Sequence, residues 1–348
     1  MDYASPPACY DFTGNTGATK SHQWERKMLS VDDIKGTWAI GCTPSKPGAD
    51  QWDATDTVDL DELARATNKI VEDGADGYIT LGTTAECATL TRKEWEDAAD
   101  CVLSTVNKRI PTLIGTTALG MHEIVERMNF IRDKGADGAI LGLPMWQPCT
   151  MEMAVKFYAT ISQAFPDLGI MCYSNPNAFR FQFPLPFWKL VAEQAPTVIA
   201  AKNAADPQLL NLDRITGGKI RFVPHVVTYY TAARISPEHS KACWTTEASM
   251  GLAPAQALMA AVQAGDWKTA LEIDGELNWA LQTFFPPGGI QEFASYNIQL
   301  EKIRIDEAGY SKAGPIRPPY DVIPEAYAEG ARECGRRWAQ LQQKYSQQ

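Results

Sequence analysis

The sequence predicts an α/β protein, a (β/α)8 TIM barrel with additional C-terminal helices. Three observations predict it. Eight short apolar runs recur between residues 36 and 245, each followed by a helical pattern or turn. The runs are continuous rather than alternating, as parallel strands covered on both faces are. The segment Gly74-Ala75-Asp76-Gly77-Tyr78-Ile79 returns 61 residues later as Gly135-Ala136-Asp137-Gly138-Ala139-Ile140. That offset equals two βα units of about 30 residues each. An open doubly wound sheet is the alternative. It needs a glycine-rich phosphate loop after its first strand, and Gly41-Cys42-Thr43-Pro44-Ser45 is not one.

Each element has its own reason. Gly36 to Ile40 reads as the first strand. Asp59 to Asp73 reads as a helix, with Leu60, Leu63, Ala64, Ile70 and Val71 on one face and Gly74 at its stop. Tyr78 to Leu81 is the second strand. Thr91-x-x-Glu94 is a capping box that opens the next helix. Ile110 to Ile114 is a strand, and Ile124, Val125, Met128 and Ile131 mark a helix that stops at Gly135. Strands at 139–141, 169–173, 198–201, 220–223 and 242–245 follow. Helical segments stand between them at 150–165, 187–193, 209–215 and 229–235, and again from Ala255 onwards. The tail carries three more candidates, at 267–284, 293–307 and 324–345, separated by Pro- and Gly-rich breaks. The expected organisation is a polar extension over residues 1–30, a catalytic barrel over 31–265, and helices over 266–348 packed on that barrel.

Composition excludes several classes. The chain has 348 residues, 45% apolar and 21% charged, enough for a large core without staples. Its 42 acidic and 32 basic residues give a net charge of -10, which argues against a nucleic-acid partner. No run of about 18 apolar residues offers a membrane span. Met1 to Lys20 lacks a basic stretch followed by an apolar block, so no secretory signal is expected. Eight cysteines are scattered without a C-x-x-C pair, the usage of a reduced cytoplasmic protein. The four histidines, His22, His122, His225 and His239, form no H-x-H or H-E-x-x-H pattern, so no metal is expected.

In such a barrel the active site stands at the C-terminal ends of the strands. Val198-Ile199-Ala200-Ala201 runs into Lys202, whose amine would point into the mouth and could add to a carbonyl as a Schiff base. Ile170-Met171-Cys172 runs into Tyr173, a candidate proton relay one strand away. Gly82-Thr83-Thr84-Ala85-Glu86 offers consecutive hydroxyls on a turn, a cradle for a carboxylate. Taken singly, each has an ordinary reading: a solvated lysine, a core tyrosine, a threonine-rich turn.

Together they resemble the dihydrodipicolinate synthase / N-acetylneuraminate lyase family of class I aldolases, over residues 35 to 310. The likeness rests on Gly82-Thr83-Thr84-x-Glu86, Gly115-Thr116-Thr117, Tyr173 with Pro176, and Lys202. It implies a barrel that forms an imine on Lys202 with a small-molecule 2-keto acid, without metal or organic cofactor, and usually as a homotetramer. Departures narrow the branch. Pro144-Met145-Trp146 stands where the synthases carry adjacent tyrosines, and Ala178 stands where they carry an arginine.

The chain more closely resembles the hydratase-aldolases that cleave ortho-substituted trans-benzylidenepyruvates in naphthalene and phenanthrene degradation. Glu86 to Thr91, Pro144-Met145-Trp146, Tyr173-x-Asn175-Pro176, the 229–235 and 296–302 segments, and the stretch from Ala313 to Tyr320 carry that likeness. It implies a lyase releasing an aromatic aldehyde and pyruvate. Lys202 and Tyr173 are then catalytic. Thr83 and Thr84 hold the pyruvate carboxylate, Asn175 and Asn297 orient water or the ring substituent, and Trp146 and Trp244 form an aromatic wall. The carboxylated substrate is slightly favoured over the hydroxylated one, because no acid follows His225 in the loop and Arg180 is near. Two alternatives stand: an aldolase for a sugar-derived 2-keto acid, and a non-catalytic barrel that binds a keto acid.

Overall fold

The computed structural model describes residues 28–203 and 208–347. Most of the expected N-terminal extension, and Cys9 with it, lies outside them. The barrel runs β1 (Gly36–Ile40), α1 (Leu60–Glu72), β2 (Gly77–Thr80), α2 (Arg92–Val106), β3 (Thr112–Gly115), α3 (Met121–Asp133), β4 (Gly138–Leu141) and α4 (Met151–Ala164). It continues with β5 (Gly169–Tyr173), α5 (Pro176–Phe179), α6 (Leu185–Gln194), β6 (Val198–Lys202), α7 (Leu209–Thr216), β7 (Arg221–Val223), α8 (Val226–Ile235), β8 (Ala242–Thr245) and α9 (Ala253–Gln263). Four further helices follow: α10 (Trp267–Leu281), α11 (Gly289–Ser295), α12 (Asn297–Ala308) and α13 (Glu325–Tyr345).

All eight strands are parallel and neighbour one another in chain order, with β8 returning to β1. A parallel bridge between His225 and Trp244 joins the ends of β7 and β8 and nearly closes the barrel. Six of the strands are buried at every residue, which is why their sequences are unbroken apolar runs.

The 61-residue repeat marks a shared joint. Gly74 and Gly135 both adopt φ +89°, ending α1 and α3 in a conformation that L side chains rarely take. Two residues on, Asp76 accepts the Thr37 N–H at 2.7 Å and Asp137 accepts the Thr112 N–H at 3.0 Å. Each copy thus uses its aspartate to tie the new strand to its neighbour.

Three expectations shift. Leu81 is outside β2, because its backbone turns to φ 55° and opens the loop that follows. A short helix, α5, was not expected; Asn175 caps it by accepting the Ala178 N–H at 3.2 Å. The helix expected over 293–307 is two helices, broken at Tyr296 (φ -130°, ψ 19°). The C-terminal helices lie against the barrel. Trp338 of α13 donates its indole N–H to Gly251 O at 2.9 Å, and Ala253 N donates to Gln342 Oε1 at 2.9 Å. Among the described residues no helix is long and apolar enough to cross a membrane.

Candidate active site

The site is built from the last residues of neighbouring strands. Tyr173 ends β5 and Lys202 ends β6, and the two are partners in register. Register partners on adjacent strands project to the same side of the sheet. The Lys202 Nζ therefore meets the Tyr173 hydroxyl at 3.2 Å, and that hydroxyl meets Thr83 Oγ1 at 2.7 Å. The amine also lies 3.8 Å from the centre of the Trp244 ring and 4.3 Å from that of Tyr173. Aromatic faces of this kind attract a cation without neutralising it. Lys202 is only 7% exposed.

The threonine turn is forced into place from beneath. Leu81 and Glu86, at its two ends, both have φ 55°. Gly115 lets the Leu81 carbonyl approach, since a Cβ there would stand 1.9 Å from that oxygen. Glu86 is buried and takes Lys302 Nζ at 2.8 Å, the Arg317 backbone N–H at 3.2 Å and the Arg317 guanidinium. Burial pulls the Lys302 ammonium below its ordinary value, and the Glu86 charge offsets part of that. The backbone N–H groups of Thr83 and Thr84 donate to no described residue. They are available to an anion above the turn.

A second ion network borders the same space. Glu247, at 0% exposure, accepts from His225 Nε2 at 3.0 Å, Thr245 Oγ1 at 2.7 Å and Arg304 Nη1 at 3.0 Å. Burial alone would raise the Glu247 carboxyl; its contacts with His225 and Arg304 outweigh that and hold the group well below the carboxylate range. Arg304 also grips Glu301 through Nε at 2.9 Å and Nη2 at 2.7 Å. Burial opposes the Arg304 charge, but Glu301 and Glu247 raise it. Glu301 itself is raised, chiefly by burial.

These groups open onto a cavity of about 520 Å³ at the C-terminal mouth, a size that suits a small organic ligand. Thr83, Thr84, Tyr173, Asn175, Lys202, Trp244 and Asn297 all line it. Its outer wall is apolar, from Phe284, Phe285, Ile290 and Phe293. A larger open groove of about 1080 Å³ runs outside the barrel between α4 and α6, away from the strand ends.

Trp146 is not brought in. It is 78% exposed and is not among the lining residues. Arg180 is turned away as well: its guanidinium donates to the carbonyls of Met145 and Trp146, and it does not line the cavity. Asn297 lines the cavity with its Oδ1 buried and unpaired. The residues that sequence reasoning missed are His225, Glu247, Glu301, Lys302, Arg304 and Arg317. Of these, α12 carries Glu301, Lys302 and Arg304, all buried, and no local pattern in the sequence signals that burial.

Fold and site define the class first: a (β/α)8 barrel that places a buried lysine and tyrosine side by side at the strand ends, above a cavity. Comparison with known proteins then gives the family. The Dihydrodipicolinate synthetase family matches over residues 49–326, and this chain belongs to it. A trans-O-hydroxybenzylidenepyruvate hydratase-aldolase of Pseudomonas putida is 44% identical over 324 residues, covering 91% of this chain and 97% of that protein. A trans-2'-carboxybenzalpyruvate hydratase-aldolase of Nocardioides sp. (strain KP7) is 36% identical over 318 residues, covering 90% and 95%. A solved structure of PhdJ bound to substrate intermediate superposes with a TM-score of 0.89 at 37% identity, covering 92% of this chain and 99% of that one.

Proposed function

We propose that this enzyme is a Schiff-base hydratase-aldolase that cleaves trans-o-hydroxybenzylidenepyruvate to 2-hydroxybenzaldehyde and pyruvate, within the degradation of polycyclic aromatics. The observation that carries the reading is the chain Lys202 Nζ, Tyr173 OH, Thr83 Oγ1, at 3.2 and 2.7 Å. The amine adds to the 2-keto carbon, and loss of water gives a protonated imine. Tyr173 carries protons to and from that carbon. The free N–H groups of Thr83 and Thr84 hold the carboxylate. Conjugation from the imine through the alkene makes the benzylic carbon electrophilic, so water adds there. Tyr173 then takes the proton of the new hydroxyl, the carbon–carbon bond breaks, and the imine nitrogen receives the electron pair as an enamine of pyruvate. Tyr173 returns the proton to the enamine carbon, and water hydrolyses the imine to free pyruvate and the Lys202 amine.

The hydroxyl substituent is favoured here, against the lean toward a carboxylate drawn from Arg180. Among the described residues lining the cavity, the only lysine or arginine besides Lys202 is Arg304, which is committed to Glu247 and Glu301. A second carboxylate would be desolvated without a partner. A hydroxyl would donate to the unpaired Asn297 Oδ1. The apolar wall of Phe284, Phe285 and Phe293 suits a benzene ring and not a polyol, which disfavours a sugar-derived substrate. The reading includes a cytoplasmic homotetramer, as in the family resemblance, which sedimentation would check.

Borohydride reduction in the presence of pyruvate, followed by peptide mass mapping, tests the chemistry. A pyruvyl adduct on Lys202, absent from Lys202→Ala, is expected. An unmodified Lys202 overturns the mechanism. Turnover of the hydroxy- and carboxy-substituted substrates side by side tests the substituent.

A further inference from the structure

We propose that His225, oriented by Glu247, is the catalytic base that takes the proton from water as it adds to the benzylic carbon. The inference rests on the hydratase-aldolase reading and assigns its hydration half. The family pair of lysine and tyrosine serves the keto carbon and the cleavage, and leaves the addition of water without an assigned base. Tyr173 is already bonded between Lys202 and Thr83, at the carboxylate end of the site.

His225 stands at the other end. Lys202 is in register with Val223, the last residue of β7, so His225 lies two residues beyond that strand, where the backbone is still extended and bridges Trp244. Alternation puts residues two apart on one face, and two residues rise about 6.6 Å. A carbon chain that leaves the imine and runs toward the mouth therefore passes the level of His225. The imidazole lines the cavity, with its ring centre 4.3 Å from that of Trp244, the same indole that lies 3.8 Å from the Lys202 amine.

The partners of His225 decide which nitrogen is the base. Glu247 is buried as an anion, fixed by Thr245 at 2.7 Å and Arg304 at 3.0 Å, and it meets Nε2 at 3.0 Å. An anionic acceptor there requires the hydrogen on Nε2, which leaves the lone pair on Nδ1. Nδ1 has no hydrogen-bond partner among the described residues. A carboxylate also stabilises the imidazolium that forms during the transfer.

The step balances without a co-reactant. The water O–H bond breaks and its proton goes to Nδ1, while the oxygen bonds to the benzylic carbon. The alkene pair moves to form the enamine double bond, and the iminium nitrogen takes up the displaced pair. The imidazolium then returns its proton to the adjacent enamine carbon. Net water has added across the alkene, the imine is restored, and His225 is neutral again.

The test separates hydration from cleavage. Wild type, His225→Asn and His225→Gln are given either the benzylidenepyruvate or the already hydrated 4-hydroxy-4-(2-hydroxyphenyl)-2-oxobutanoate. Borohydride trapping of pyruvate on Lys202 checks that each variant keeps a folded, reactive site. Alkene turnover is expected to fall by about 100-fold or more, the usual worth of a positioned base. Cleavage of the hydrated substrate is expected to stay within about fivefold of wild type under the same general-base reasoning. Run in reverse, from aldehyde and pyruvate, the variants should accumulate the hydroxy adduct and make little alkene. Adding imidazole to His225→Gly should restore part of the hydration rate, which a purely structural role would not permit. Near wild-type alkene turnover in the trapping-competent variants overturns the assignment while leaving the hydratase-aldolase reading intact. So does an equal loss on both substrates. Wild type that traps no pyruvate overturns both.

Discussion

Replacing Glu86 by Gln keeps its shape and removes one buried charge. Glu86 is 1% exposed and faces two cations, Lys302 and Arg317, which are themselves almost fully buried. After the change, Lys302 would keep Ser45 Oγ and Pro315 O as partners, and Arg317 would keep Thr57 Oγ1 and backbone carbonyls. Neutral acceptors do not balance two buried cations. Removing one member of a buried pair costs about 3–5 kcal/mol. At roughly 2 °C per kcal/mol, the low end for a long chain, the melting temperature falls by about 6–10 °C. Activity falls as well, because the turn carrying Thr83 and Thr84 ends at Glu86. The assay is a thermal melt of Glu86→Gln, Lys302→Met and the double variant, with pyruvate trapping as the functional readout. The double variant should be more stable than the sum of the singles predicts, by about 1 kcal/mol or more. Strict additivity within about 0.5 kcal/mol would refute the coupling.

Tyr173→Phe breaks the link between Lys202 and Thr83 and should lower kcat/KM by about 100-fold, measured by aldehyde release. Trp146→Ala, at an exposed position outside the cavity lining, should leave turnover within about twofold in the same assay. The Glu94 carboxylate accepts from the backbone and hydroxyl of both Thr57 and Thr91. Burial would raise it, but those bonds hold it at about 2 against the usual 4.5. A depressed folded value means stability present above pH 4.5 and lost as the pH falls toward 2. The stability gap between wild type and Glu94→Gln should therefore close across that window in denaturant titrations. Burial pushes the Asp274 carboxyl up to about 6, and its Oδ1 is unpaired. A raised folded value means that stability declines as the pH rises from about 4 through about 6. Asp274→Asn should therefore melt higher than wild type at pH 7.5 and alike at pH 4, with a gain held to about 1 kcal/mol by partial exposure.

The barrel was legible because six of its strands are buried throughout and several helices stop at a glycine. Gly74 and Gly135 announce two joints, and Thr91-x-x-Glu94 announces a helix start that the hydrogen bonds reproduce. Lys202 and Tyr173 were legible as polar residues ending apolar strands. The ion networks were not, for a physical reason. Hydropathy assigns Glu301, Lys302 and Arg304 to a solvated helix face, yet α12 buries all three. Their partners Glu86 and Glu247 lie 216 and 57 residues away in sequence. Nothing local encodes a pairing that exists only when the tail crosses the barrel mouth. Trp146 differs in the opposite direction. The order of motifs placed it near the site, but it is exposed and does not line the cavity.

The two networks also bear on how a chain of net charge -10 would accommodate the proposed anionic substrate. Exposed charges act over only about 8 Å at physiological salt, so the count on the surface matters little at the mouth. Among the described residues of the mouth these acids are matched: Glu86 by Lys302 and Arg317, and Glu247 and Glu301 by Arg304. Lys202 alone among the described lysines and arginines lining the cavity has no carboxylate partner. An arginine left free beside it would compete for the substrate carboxylate and draw the keto carbon away from the amine. On the proposed reading, the other cations being committed, the carboxylate would be directed to the turn at Thr83 and Thr84. The imine on Lys202 would carry the one uncompensated charge facing the alkene, a single electron sink for both water addition and carbon–carbon cleavage.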